Sequence, residues 1–195
     1  MKTQNILLLC ISIVLLWACS ADSDENTAQY QLKEATKSIA WTAYKTTDKV
    51  PVDGTFKTID IISNAEGNTI KEALQDLEFS LPVASLFANG KEYNVIKFFF
   101  GILPIPDTIT GKINLTDDKN GYIDLTVGGV TEKLFIEYTE INKEVTVTSS
   151  MDLQKWKLQD AIESLNKACK FLHAGGDGIA KVWDNVDIKT TVTFK

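Results

Sequence analysis

The chain has a single histidine and only three cysteines among its 195 residues. One imidazole removes most histidine-ligand metal sites and leaves a histidine-based triad one place to form. Neither a metal nor a cofactor is expected. Positive charge is in deficit, with Lys+Arg 20 against Asp+Glu 26 and a pI near 4.9. The chain therefore carries no basic footprint for nucleic acid. No apolar run reaches the roughly 20 residues of a good membrane span. A hydrophobic fraction of 44% is too high for a disordered chain, and the length suits about one domain.

What is present begins with an address. Lys2 precedes the apolar run Ile6–Trp17, which has the length and flanks of a signal-peptide core. Leu16-Trp17-Ala18-Cys19 resembles a bacterial lipobox, with Cys19 as the first mature residue and acceptor of the lipid, although Trp17 is bulkier than usual there. The alternative is an ordinary secretory signal cut elsewhere. Residues 1–18 are thus read as a lipoprotein signal peptide and 19–36 as an acidic flexible tether, starting Ser20-Ala21-Asp22-Ser23-Asp24-Glu25. An acidic run after a lipidated cysteine also resembles a surface-export signal of Bacteroidetes lipoproteins. The expected location is an outer-membrane lipid anchor, on the periplasmic side or at the cell surface. Loss of Lys2 with the leader makes the mature net charge one unit more negative than −6. Anionic headgroups repel such a surface, so the acyl chains would be the attachment. Cys10 leaves with the signal and Cys19 is acylated, so Cys169 has no disulfide partner and the exported domain rests on its own core.

From residue 37 to 195 the pattern predicts a mainly β domain, an eight-stranded antiparallel lipocalin-like barrel with one amphipathic helix and a short helical insertion. Ile39, Trp41 and Ala43 share a face of the first strand. Val52, Gly54 and Phe56 open the second, whose phase shifts before Ile59 and Ile61, as at a bulge. Leu77–Leu81, Ile109–Leu115, Ile123–Val127, Leu134–Tyr138, Val145–Val147 and Val186–Phe194 supply the other six. Asn120-Gly121 and Gly128-Gly129 are hairpin cues. The stretch around Asp118 superficially matches a calcium loop, but Val127 stands where the bidentate acid is required. Leu158, Ile162, Leu165, Cys169 and Leu172 make one apolar stripe of a helix over 155–172, stopped by Gly175-Gly176. The insertion 94–103 is short and apolar, and either packs on the barrel or covers its mouth.

The order of these pieces resembles the YceI-like family of bacterial lipid-binding proteins. Five stretches carry the likeness: Ser38–Lys45 with Val52-Asp53-Gly54-Thr55-Phe56, then Leu81–Leu86, Phe99-Phe100, Leu125–Thr131, and Val186-Asp187-Ile188. The resemblance covers roughly residues 37–195. It implies a lipocalin-like barrel whose cavity takes an isoprenoid or similar amphiphile. At Lys45 members of the family often have histidine, and at Asn94 often aspartate. If the inward phase of Ile39, Trp41 and Ala43 persists, Lys45 faces one end of the cavity, where it can meet a carboxylate or phosphate headgroup; the alternative is an exposed strand-end lysine beside Asp48.

An eight-stranded barrel is either filled by side chains or hollow enough for one small ligand. The small residues Ala43, Gly54 and Gly111 leave room in this one. The aromatics Trp41, Phe56, Phe79, Phe98, Phe99, Phe100 and Trp156 can line or gate such a cavity. The expected ligand set is Trp41, Lys45, Phe56, Phe79, Phe99, Phe100 and Trp156, around a long-chain lipid or isoprenoid. The chain is read as non-enzymatic. Cys169 lies on the apolar stripe, His173 suits a helix C-terminus as imidazolium, and Gly175-Gly176-Asp177-Gly178 lacks the Lys-Ser/Thr of a phosphate cradle. A homodimer is compatible with the sequence. The competing reading is a cell-envelope interaction module with a filled barrel and no ligand.

Overall fold

A computed structural model describes residues 28–63 and 65–195. The expected signal peptide 1–18, the lipidation candidate Cys19 and the expected tether up to residue 27 lie outside the described residues.

In chain order the elements are β1 (Tyr30–Gln31), β2 (Thr36–Lys45), β3 (Val50–Phe56), β4 (Asp60–Ile61), β5 (Glu66–Gly67) and α1 (Ile70–Leu74). Then come β6 (Glu78–Pro82), β7 (Leu86–Phe87), α2 (Glu92–Phe98), β8 (Thr108–Leu115), β9 (Asn120–Val127), β10 (Val130–Ile141) and β11 (Glu144–Asp152). Helices α3 (Gln159–Ala168) and α4 (Lys170–His173) precede β12 (Val182–Thr193). One antiparallel sheet of ten strands runs β4-β6-β8-β9-β10-β11-β12-β2-β3-β7 and curls into a half-barrel. The eight predicted strands are β2, β3, β6 and β8 to β12. The count of eight is corrected by β4 and β7, two-residue strands at the two edges that are too short to show an alternation.

The expectation of a closed barrel is corrected as well, because among the described residues no ladder joins the two edges. The phase shift after Phe56 is no bulge. The chain leaves β3 near one edge and enters β4 at the other, and four Cα steps, at most about 15 Å, separate Phe56 from Asp60. The 3-10 turn Val83–Ser85 makes the same crossing from β6 to β7. The two crossings are joined by Lys57 N–H donating to the Ser85 carbonyl at 2.9 Å. These short links hold the sheet curled.

The hairpin turns obey local chemistry. Gly128 and Gly129, at φ 59 and 87, form the two-residue turn between Val127 and Val130, as expected of a turn that needs positive φ twice. Asn120-Gly121 is not the β8–β9 turn. Gly121 is already paired with Leu115, and the loop 116–119 is shaped by the Asp117 carboxylate, which accepts from the amides of Lys119 and Asn120 at 2.8 Å each.

The two ends of the half-barrel are closed differently. At the end bearing the 142–143 turn, β1 pairs with β5, and Leu32, Ile70, Ala73 and Leu74 are buried. Thr69 and Glu72 cap α1 reciprocally, each side chain accepting from the other residue's backbone amide. Lys37 Nζ ties this plug to β2 by donating to the carbonyls of Leu32 and Ala35 at 2.7 and 2.9 Å. Residues 30–36, placed at the end of the tether, therefore pack on the domain. The opposite end is covered by α2, α3 and α4, with α2 packed against α3. The single helix expected over 155–172 is two shorter ones. Residues 155–157 turn instead, with Lys157 at φ 59, and Cys169 at φ −108, ψ 24 breaks α3 from α4.

Candidate functional site

Between the curled sheet and the helices lies a cavity of about 290 Å³, at the low end of the roughly 300–1,000 Å³ of small-molecule sites. Period-two alternation builds its wall. Ile39, Trp41, Ala43 and Lys45 of β2 all line it, so the inward phase persists to the end of that strand. Phe56 of β3, Phe79 and Leu81 of β6, Ile123 and Leu125 of β9 and Ile188 of β12 continue the wall, and α2 adds Val95 with Phe99 just beyond. The stripe of α3 and α4 closes it with Leu165, Cys169 and Leu172.

Of the seven expected ligand residues, Trp41, Lys45, Phe56, Phe79, Phe99 and Phe100 line this cavity and Trp156 does not. Trp156 is buried in the turn before α3, where its Nε1 donates to the Leu125 carbonyl at 2.8 Å. It fastens that turn onto β9 and belongs to the core. Phe98 also lies off the cavity wall. The glycines do not leave open space. A Cβ on Gly54 would stand 2.1 Å from Trp41 Cζ2, and one on Gly111 would stand 2.5 Å from Phe79 Cζ. Each aromatic ring fills the place left by the glycine paired with it across the ladder. Ala43 does border the void.

Apart from Thr190 on β12, the polar lining gathers under the helices. Lys45 does not pair with Asp48; its Nζ donates to the Leu172 carbonyl at the end of α4, 2.8 Å away. Lys91 and Asn94 come from the start of α2 and His173 from the end of α4. Of all the lining residues only Lys91 and Leu172 are exposed, so the opening lies between these helices. His173 stands at a helix C-terminus as expected, but its surroundings disfavour the imidazolium expected there. Burial first, and then the Lys45 charge, hold its pKa below the usual 6.5, and its Nδ1 lies 3.1 Å from Asn166 Oδ1. Burial pushes the Cys169 thiol up, which is the reverse of activation. Among the described residues no group of three or more His, Cys, Asp or Glu side chains is placed to hold a metal ion.

No family model matches the sequence and no curated protein does. Among solved structures, a polyisoprenoid binding domain from Saccharophagus degradans, implicated in plant cell wall breakdown, aligns with a TM-score of 0.58 at 12% identity. The alignment covers 85% of this chain and 97% of that one. The fold is YceI-like. A second structure, Burkholderia cenocepacia BcnA, aligns over 84% of this chain and 98% of its own at 18% identity and a TM-score of 0.49.

Within the YceI-like fold the two departures noted from the resemblance, Lys45 and Asn94, both line the cavity. Sequence reasoning missed Trp183, which lines it from β12 and donates Nε1 to the Thr46 carbonyl at 2.8 Å. The register of β12 against β2 shifts between Val182 and Val186, so alternation read back from Val186 cannot place that ring. Leu165, Cys169 and Leu172 were visible as a helical stripe, but the same spacing serves packing and lining alike.

Proposed function

We propose that this protein binds a long-chain apolar ligand, a polyisoprenoid or a fatty-acid-like lipid, in the cavity of its YceI-like half-barrel. The carrying observation is the wall itself. Its interior is aliphatic and aromatic apart from Thr190 on β12, its charged and amide groups are collected at the helix-covered end, and its opening is there too. Apolar burial contributes about 25 cal/mol per Å², so such a void favours a hydrocarbon chain with its headgroup toward Lys45, Lys91, Asn94 and His173. The polyisoprenoid binding domain that shares the fold supports the same ligand class. No group in the wall is arranged as a nucleophile with its base, so the reading is binding without catalysis. With Cys19 as a lipid anchor, the protein acts outside the cytoplasm as a carrier or sensor.

Native mass spectrometry of the protein purified from its own host, followed by solvent extraction and lipid identification, tests this. A stoichiometric isoprenoid or acyl lipid is the expected result. An empty protein that also refuses added polyprenyl and acyl lipids would leave the interaction module, with the half-barrel as scaffold.

A further inference from the structure

The helix-covered pole carries an apolar surface that nothing among the described residues covers. Phe171 on α4 is 95% exposed, its neighbour Leu172 is 62% exposed, and Ile179 in the following loop is 57% exposed. A side chain as large as phenylalanine held almost wholly in solvent is a cost the fold does not recover internally. Leu172 has a second property: it also lines the cavity. Leu172 therefore links the exposed patch to the rim of the opening and to the apolar interior.

The charge of the segment that carries this patch runs against that of the chain. Net charge is −6 overall, yet the segment 167–181 holds Lys167, Lys170 and Lys181 against Asp177 alone. The Asp177 carboxylate is engaged by the Thr47 hydroxyl at 2.7 Å and the Ile179 amide at 2.9 Å. Beside it, Lys181 and Lys49 stack on the Trp183 ring, 3.5 and 5.3 Å from its centroid, and Lys49 also lies over Tyr44. Asp48 is the remaining acid in the adjoining turn. Apolar tips among lysines whose stems lie on amphipathic rings are the composition of a surface that sits at a water–hydrocarbon boundary.

We propose that this pole docks onto an anionic lipid surface, with Phe171 and Ile179 entering the hydrocarbon margin and Lys49, Lys167, Lys170 and Lys181 meeting phosphate headgroups. Docking places the opening beside Leu172 against the bilayer, so a chain passes between membrane and cavity without crossing water. The surface rests on its own observations, and the cavity reading supplies its use.

The test uses the full chain carrying Cys10→Ser and Cys19→Ser, which removes any acyl anchor and leaves Cys169 buried. A polarity-sensitive fluorophore is attached at Phe171→Cys, and in a control form at Asn142→Cys on the far turn; any effect of the leader is common to both. With vesicles of phosphatidylcholine and phosphatidylglycerol, the probe at 171 shifts to the blue and is quenched from within the lipid, while the probe at 142 is not. The response weakens as salt rises from roughly 0.1 to 1 M, where the screening length falls from ~10 to ~3 Å. No shift at 171, or equal shifts at both positions, overturns the proposal. A shift that grows with protein concentration in the absence of vesicles does so too, by assigning the patch to a second copy. Phe171→Glu should load lipid normally from detergent and roughly tenfold more slowly from vesicles, and an equal rate from vesicles counts against the docking role. A docked protein with an empty cavity would remove the lipid-binding reading alone, and a loaded cavity without docking would remove this one alone.

Discussion

The indole of Trp41 lies over Gly54, its direct partner across the β2–β3 ladder, so closely that no Cβ fits between them. The ring belongs at once to the sheet and to the cavity wall, and its Nε1 is buried without a hydrogen-bond partner among the described residues. That unpaired donor costs about 1–3 kcal/mol, which good ring packing has to offset. Gly54→Ala should therefore destabilise the protein by about 1–3 kcal/mol through overpacking, read as a lower urea midpoint at unchanged slope. Wild-type stability would show that the ring moves aside without loss.

Ala43 borders the void between Trp41 and Lys45. In a cavity of about 290 Å³, an added indole consumes much of the space. Ala43→Trp is expected to fold, with an unchanged circular dichroism spectrum, and to lose at least about tenfold in affinity for the lipid recovered from the native protein. Unchanged affinity in the folded variant would put the ligand somewhere else.

His173 gives the cavity a pH dependence of defined sign. Its pKa is lower folded than unfolded, so the unfolded chain takes up the proton first as pH falls. This contribution leaves stability untouched well above the usual 6.5 and subtracts from it as pH drops through 6.5 toward the folded value. Thermal unfolding between about pH 7.5 and 5 should show a decline that His173→Gln reduces. Because the Lys45 charge is one of the two causes, Lys45→Met should move the imidazole titration, followed by NMR, back upward. A titration that stays where it was would mean burial acts alone.

Trp156 is held by its bond to Leu125 behind the wall rather than in it. Trp156→Phe should lower stability by about 1–3 kcal/mol while lipid affinity stays within twofold of wild type, a separation that a ligand contact would not show.

Where one residue in two faces a wet side, the sequence shows it plainly, and all eight long strands were legible for that reason, as was the shared face of Ile39, Trp41 and Ala43, while the place of Lys45 at the strand end stayed open between two readings. Other features escaped. The edge strands β4 and β7 have two residues each and no period to read. The crossing after Phe56 mimics a bulge, because a change of phase looks the same whether a strand kinks or the chain changes edges. Trp183 is turned inward by an irregular pairing. Helix α1 was announced only by the Thr69–Glu72 capping pair, since five residues are too few for a stripe. Composition placed aromatics in the cavity as a class, but whether a ring lines it, as Phe79 does, or backs it, as Trp156 does, depends on partners distant in the chain.

A fully laddered barrel behaves as a hoop, whose girth changes only when hydrogen bonds break along a whole strand. This sheet is instead a split ring. Its lips are joined by the stretches 57–59 and 83–85 and pinned by the Lys57–Ser85 bond, so springing them apart leaves every long ladder intact. The volume enclosed at rest is then the relaxed bore of an adjustable sleeve, whose girth can change while its long ladders stay whole.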